Sequence, residues 1–334
     1  MIARTRDRLF ARRPRASRRR TARYVARRLA QSALVLWAAF TVSFVILYVL
    51  PGDPVSIMLN QGEQGMADPA QIAALRTEYH LDRPLAVQYG IALWHALHLD
   101  LGHSIQNGQP VVTLLAQSLP PTVELALTAL LLALLFGVSL AVASILVRRA
   151  WLRGALLAGP SLGVSLPTFW IGLLLLQALS FHFPLFPAMG NDGWRALVLP
   201  ALTLAVPTTA AIAQVLSRSL AAVRSQPFID AVRAKGVSRA RLLLAHMLPN
   251  AAVPLLTMAG IITGNLLAGS VVTETVFSRD GIGRLAEGAV SVKDIPVVQG
   301  VVLLAALIFV VVNLLVDLLY PLLDPRIART RQET

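Results

Sequence analysis

Cysteine is absent from the 334 residues, which excludes disulfides, thiol nucleophiles and cysteinyl metal sites. Charge is scarce: 14% of residues are Asp, Glu, Lys or Arg against 56% hydrophobic, a balance too apolar for a water-soluble globule. Acids are the rarer sign, 17 against 30 basic residues, leaving a formal charge of +13. No Gly-x-x-x-x-Gly-Lys-Ser/Thr segment occurs, so nothing in the chain is built to cradle nucleotide phosphates. His95 and His98 are three apart, but no carboxylate ligand accompanies them and no metal site is expected. The apolar segments hold no paired acids and no nucleophile with a base, so no catalytic residues are expected either.

What the chain does have is long uncharged runs. A bilayer core about 30 Å thick needs roughly 20 apolar helical residues. Six windows free of Asp, Glu, Lys and Arg satisfy this, and they predict spanning helices near 29–50, 122–147, 155–181, 197–217, 250–275 and 297–320. The expected class is an all-α integral membrane protein with six transmembrane helices.

The arginines are segregated. Twelve lie between Met1 and Arg28 against one acid, Asp7, in a stretch without apolar periodicity, so 1–21 reads as a disordered basic tail and 22–50 as the first transmembrane helix. Cytoplasmic loops retain Lys and Arg. With both termini inside, the inner segments hold 24 basic residues and the outer loops 6; without the tail the inner count is still 12. The net charge is therefore a topology signal, N-in and C-in, and nucleic acid is not an expected partner. The remaining divisions are an external loop over 51–118, a core of five further spans over 119–325, and a cytoplasmic tail over 326–334.

In the external loop, Pro69–Tyr79 follows the N-cap candidate Asp68, and Leu85–Leu97 follows Pro84; both read as helices too short to span. Residues 111–119 are apolar on one face and precede Pro120 and Pro121, which predicts a segment lying along the outer interface. Glu124 then falls in the first turn of the second span, where the helix dipole favours a negative charge; a contact with the translocation pathway is the alternative.

Between spans four and five, residues 226–249 read as a cytoplasmic helix-turn-helix. The first helix ends at Gly236, suited to a left-handed cap, and the second opens at Ser238. Phe228, Ile229, Ala231 and Val232 form an expected apolar patch beside Arg233 and Lys235, which calls for a soluble partner. The spacing Asp230-Ala231-Val232, three residues, Gly236, then Leu248-Pro249 resembles the EAA loop of ABC importer permeases, with Asp for the usual Glu, Val232 for the second Ala and His246 for an aliphatic residue. Leu50-Pro-Gly-Asp-Pro54, Asp100-Leu-Gly-His-Ser104, Glu274-Thr-Val-Phe277, Gly281-Ile-Gly283, Asp294-Ile-Pro-Val-Val-Gln-Gly300 and Leu323-Asp-Pro-Arg326 are similar to segments of the dipeptide/oligopeptide/nickel permease family, in order and at matching topological positions.

That resemblance implies the ABC type I importer permease fold, in a prokaryotic plasma membrane. It implies a coupling helix at Phe228, Asp230, Ala231, Val232, Arg233, Ala234, Lys235 and Gly236, docked on two ATPase subunits or one fused ATPase that bind ATP and Mg. A homologous second permease and an external substrate-binding protein are the other implied partners, with Arg279, Asp280, Gly281, Gly283 and Arg284 as the expected binding-protein contact, reaching toward the bound peptide. Peptide is the expected cargo, with glutathione or nickel complexes as alternatives; a self-contained secondary carrier is the reading from another class. Pro160 with Pro167 and Pro200 with Pro207 are each seven apart, which predicts kinks on one face of spans three and four; Pro167, Pro207 and Glu124 are the candidate pathway residues. Gly163, Gly172, Gly260, Gly264, Gly269 and Ser270 allow close helix approach in lipid. Asp317 is expected to meet water or Arg326 at the inner end of span six.

Overall fold

A computed structural model describes residues 15–49 and 83–323; the predicted helix over Pro69–Tyr79 and the Arg326 partner of Asp317 lie outside them. The described residues are almost wholly helical. Helix α1 (Arg15–Val49) is followed by α2 (Leu85–Leu97), α3 (Val111–Leu146), α4 (Ala150–Ser165) and α5 (Thr168–Leu176), which widens into a π-helical turn over Gln177–His182. Then come α6 (Gly193–Arg224), α7 (Pro227–Ala234) and α8 (Arg239–Arg241), a second π-helical stretch over Leu242–Met247, and α9 (Leu248–Ala251), α10 (Val253–Thr257), α11 (Ala259–Val276), α12 (Ile282–Ser291) and α13 (Ile295–Leu323).

Among the described residues, five helices are long and apolar enough to cross a membrane, and α4 with α5 makes a sixth span if that bent pair is one crossing. Helix α1 begins at Arg15, so residues 15–21, read from composition as disordered, are helical here. Its apolar part is Ala26–Leu47. Helix α2 starts where proline set it, directly after Pro84, and Tyr89 docks it on α1: its ring tilts against Phe40 and Phe44, and its hydroxyl lies 2.8 Å from Thr41 Oγ1.

Three expectations need correction. Residues 111–119 do not form a separate interfacial segment; α3 runs without a break through Pro120 and Pro121. Tertiary packing outweighs the two missing N–H donors, because Val111 and Leu115 are buried against Ile282, Ala289, Val297 and Val301 of α12 and α13. The 23 residues from Glu124 to Leu146 cover about 34 Å, so α3 projects some three turns beyond an apolar layer about 30 Å thick. Span three is broken, not kinked: α4 and α5 meet at 98°, with Leu166 extended (φ −84°, ψ 132°) as the residue before proline tends to be, and Pro167 at the N-cap of α5. Pro160 and Pro167 therefore share no helix face. Pro200 and Pro207 do lie within one uninterrupted helix, α6. Span five enters in pieces, α9, α10 and α11, since Pro249 and Pro254 each remove a donor.

Helix α6 is the hub. Its most apolar window is 61% buried against 17–28% for the other single-helix spans, which leave their outer faces to lipid or partners. Leu125, Ala129 and Ala133 of α3 pack on Ala201, Leu204, Ala205 and Ile212 of α6, with Ile262 and Leu266 of α11 closing the cluster. Among the small residues, an added Cβ at Gly269 would lie 2.6 Å from Leu204, whereas Gly264 faces open space.

Candidate functional site

At the inner end, Pro227 occupies the first turn of α7 and Gln226 the N-cap, so the helix opens where its missing N–H costs nothing. It closes through Gly236 at φ +75°, the left-handed conformation for which glycine is suited. Ser238 Oγ then accepts the Arg241 N–H at 3.4 Å. The second helix is not regular. Over Leu242–Met247 it widens to a π-helix, and Asn250 Nδ2 donates to the His246 carbonyl at 2.6 Å.

The expected apolar patch on α7 is split. Ile229 is fully buried and Val232 half-buried, both packed into a cluster of Leu216, Leu220 and Val223 of α6 with Leu242, Leu243 and Met247. Phe228, Asp230, Ala231, Arg233, Ala234, Lys235 and Gly236 face out. Helical spacing explains the division: 229 and 232 lie on one face, 228 and 231 on the next. Burying Ile229 and its partners ties α7 firmly to the end of α6, at roughly 1.5–3 kcal/mol per fully buried aliphatic side chain.

At the outer end the structure joins segments far apart in sequence. Glu274, near the end of α11 and fully buried, accepts the N–H groups of Gly283 (2.7 Å) and Arg284 (3.2 Å) at the start of α12, and the Thr122 hydroxyl donates to it at 2.7 Å. Gly281, at the N-cap of α12, has no side chain to satisfy those donors, so a carboxylate from the preceding helix does it. Space requires the glycines: a Cβ on Gly281 would fall 2.3 Å from the Glu274 carboxyl and one on Gly283 2.4 Å from the Val271 backbone. Asp294 does the equivalent for the external loop, accepting Ser104 Oγ and the Ile105 N–H (3.2 Å). Within that loop, the Gly102 N–H and His95 hold the Asp100 carboxyl below its ordinary range.

Arg279 departs most from expectation. It is 1% exposed, so it presents no surface to another protein. Its guanidinium donates to the carbonyls of Ala196 (3.3 Å) and Gly190 (3.4 Å) and lies 3.6 Å from Glu124 Oε2. The Ala196 carbonyl is the one Pro200 leaves without an intrahelical donor. Burial pushes the Arg279 pKa below its ordinary value, while Glu124 and Glu274 raise it. Glu124 itself is 58% exposed and sits 13 residues after the start of α3, not in a first turn. Of the expected binding-protein contacts, Gly281 and Gly283 are buried with Arg279; Asp280 and Arg284 are exposed and paired at 3.0 Å. Those two border an outer cavity of about 330 Å³ that Ser104, Asn107 and Asp294 also line. Thr122 is a residue that sequence reasoning missed; its signal was a hydroxyl directly after Pro120 and Pro121.

Among the described residues no group of His, Asp or Glu is placed to hold a metal ion. Residues 133–329 match the sequence profile of the family described as "Binding-protein-dependent transport system inner membrane component", and residues 21–126 match its N-terminal counterpart. A Brucella abortus (strain 2308) protein bearing the name of a peptide transport system permease is 36% identical over 311 residues, covering 91% of this chain and 98% of that one. The glutathione transport system permease protein GsiC of Salmonella choleraesuis (strain SC-B67) is 36% identical over 304 residues, with the same coverage of both chains. Among solved structures, a chain of the MetNI methionine ABC transporter in an inward-facing conformation superposes with a TM-score of 0.55 at 16% identity, over 63% of this chain and 96% of that one.

Proposed function

This chain belongs to the family of binding-protein-dependent transport system inner membrane components, and from that premise we propose that it is the permease subunit of a di- or oligopeptide importer driven through its loop 226–249. Membership makes it an inner-membrane transport component, whose role is movement of solute and not catalysis. The self-contained carrier gives way to that membership. Within the family, the relative with a peptide name supports peptide as cargo, and the glutathione relative keeps glutathione as the second reading.

The observation that carries the coupling reading is the split face of α7. A helix that shows Phe228, Asp230, Ala231 and Arg233 to the cytosol while Ile229 is locked under α6 is a lever. A partner pressing on the outer face moves the inner end of α6, which is packed along α3, α4 and α11. ATPase subunits, binding ATP and Mg, are the proposed source of that push; a homologous second permease completes the pathway. Glu124 is the proposed polar contact in it. An ionisable side chain at the edge of the apolar layer does not face lipid, and Arg279 holds it from behind. Asp280 and Arg284, on the cavity between the external loop and α12, are the proposed contact for the substrate-binding protein.

The test is co-purification with the ATPase subunits in mild detergent, followed by ATP-dependent uptake of labelled dipeptide, tetrapeptide and glutathione. Phe228→Ala should weaken ATPase docking by roughly 10-fold or more, as loss of an aromatic anchor does, with normal insertion of the chain. Uptake without ATP hydrolysis, or full docking by the variant, overturns the coupling reading. Preference for glutathione over both peptides overturns the cargo.

A further inference from the structure

The cytoplasmic face carries a cavity that shares only Arg233 with the coupling reading. It measures about 440 Å³ and is bordered by Arg148 and Arg153 at the α3–α4 junction, Arg224 at the end of α6, Arg233 on α7 and Arg239 on α8, with no acid among its lining residues. Five arginines from four elements line one space. Arg153 is steadied by donating to the Val147 carbonyl at 3.1 Å, and Arg233 makes a 3.4 Å contact with an Asp230 that is 81% exposed. Arg148, Arg224 and Arg239 have no carboxylate partner among the described residues. Like charges gathered this way repel one another and create a positive potential that an anion relieves. Planar, permanently charged guanidinium groups are matched to phosphate oxygens in particular.

Its inner wall is covered, Leu242, Leu243 and Met247 being each at most 5% exposed; the apolar side chain that borders it most openly is Leu146, 52% exposed at the end of α3. A soluble phosphate has no use for that neighbour, whereas a phosphodiester with hydrocarbon attached does. The height in the bilayer agrees. Arg148 follows the last residue of α3 by two positions, and Trp151, 69% exposed between Arg148 and Arg153, is the residue type that anchors at the headgroup layer. The charge distribution puts this end of the molecule at the inner leaflet, where acidic lipids meet basic pockets between helices.

We propose that this cavity binds the phosphate headgroup of an acidic phospholipid of the inner leaflet, held by Arg148, Arg153, Arg224 and Arg239 between the α3–α4 junction and the base of the coupling loop. An occupant there bridges span ends to loop, so bound lipid would stiffen the connection on which α7 pivots.

The test uses the assembled transporter. Native mass spectrometry and thermal denaturation, with added phosphatidylglycerol, phosphatidylcholine or inorganic phosphate, compare the wild type with a triple variant, Arg148→Gln, Arg153→Gln and Arg239→Gln, and with the matching triple lysine variant. Phosphatidylglycerol is expected to be retained and to stabilise the wild type. Its affinity should fall roughly 100-fold in the glutamine variant, three basic side chains having been lost at a charged lipid surface, and should fall less in the lysine variant. The lysine variant keeps the comparison decisive if the glutamine variant folds poorly. Equal retention of phosphatidylcholine, or unchanged phosphatidylglycerol binding in both variants, overturns the proposal. Stabilisation by inorganic phosphate as large as that by phosphatidylglycerol overturns the lipid assignment. So does efficient cross-linking of Arg239→Cys to an ATPase subunit, which would make the cavity a protein contact. None of these outcomes depends on uptake, so failure here is distinguishable from failure of the coupling reading.

Discussion

Single carboxylates organise the outer end of this molecule. Glu274 and Asp294 were legible only as members of short segments resembling a family; the structure shows each at work, one capping α12 and the other anchoring the external loop 190 residues earlier through Ser104. Their geometry makes the glycine requirement quantitative. Gly281→Ala would push a methyl group into the Glu274 carboxyl, which cannot retreat because Thr122, Gly283 and Arg284 hold it. The expected loss is about 1–3 kcal/mol, as for other overpacked sites, read as a lowered melting temperature in detergent. A variant as stable as the wild type would mean that the cap is not tightly held. Arg279 marks where residue-level reading failed: a charged side chain in an outer loop reads as surface, and nothing local to its sequence reveals that Pro200, on another helix, has left the Ala196 carbonyl in need of a donor.

At the scale of elements, proline has different outcomes in different settings. Pro167 ends one helix and starts another across a 98° turn, Pro200 and Pro207 are absorbed within α6, and Pro120 and Pro121 are absorbed within α3. A seven-residue spacing cannot distinguish these, because the outcome depends on whether the neighbouring helix offers packing on both sides of the lost hydrogen bond. Pro167→Ala is therefore expected to allow α4 and α5 to straighten toward one helix and to depress uptake and transport-linked ATP hydrolysis. Pro207→Ala, in a helix that already runs unbroken through the site, should leave both close to wild type. Spin labels on the two arms of the α4–α5 bend report the first change as a lengthened separation. If the Pro167 variant transports normally, the expected place of Pro167 in the pathway is lost. Helix α2, by contrast, was legible to the residue, since Pro84 at its N-cap and Phe40 and Phe44 beneath Tyr89 act in the same direction.

For the whole molecule, orientation is the property on which coupling and lipid binding both rest, and the lack of native cysteine makes it directly measurable. Ser291→Cys should react with an impermeant maleimide on intact cells, and Ser225→Cys only after permeabilisation; the reverse pattern would put the basic hairpin outside and remove the coupling reading. Hydrophobicity and the placement of arginine determined the membrane as solvent, where the apolar segments lie and the side each loop is expected to face, because burying a charge in hydrocarbon is costly enough to act residue by residue, without reference to neighbours. Tertiary structure alone decided that α3 survives two prolines, that span three breaks, that Ile229 turns inward while Phe228 turns outward, and that Arg279 is interior. Those outcomes are settled by contacts between residues distant along the chain, where the energy of packing or of one shared hydrogen bond exceeds any local preference.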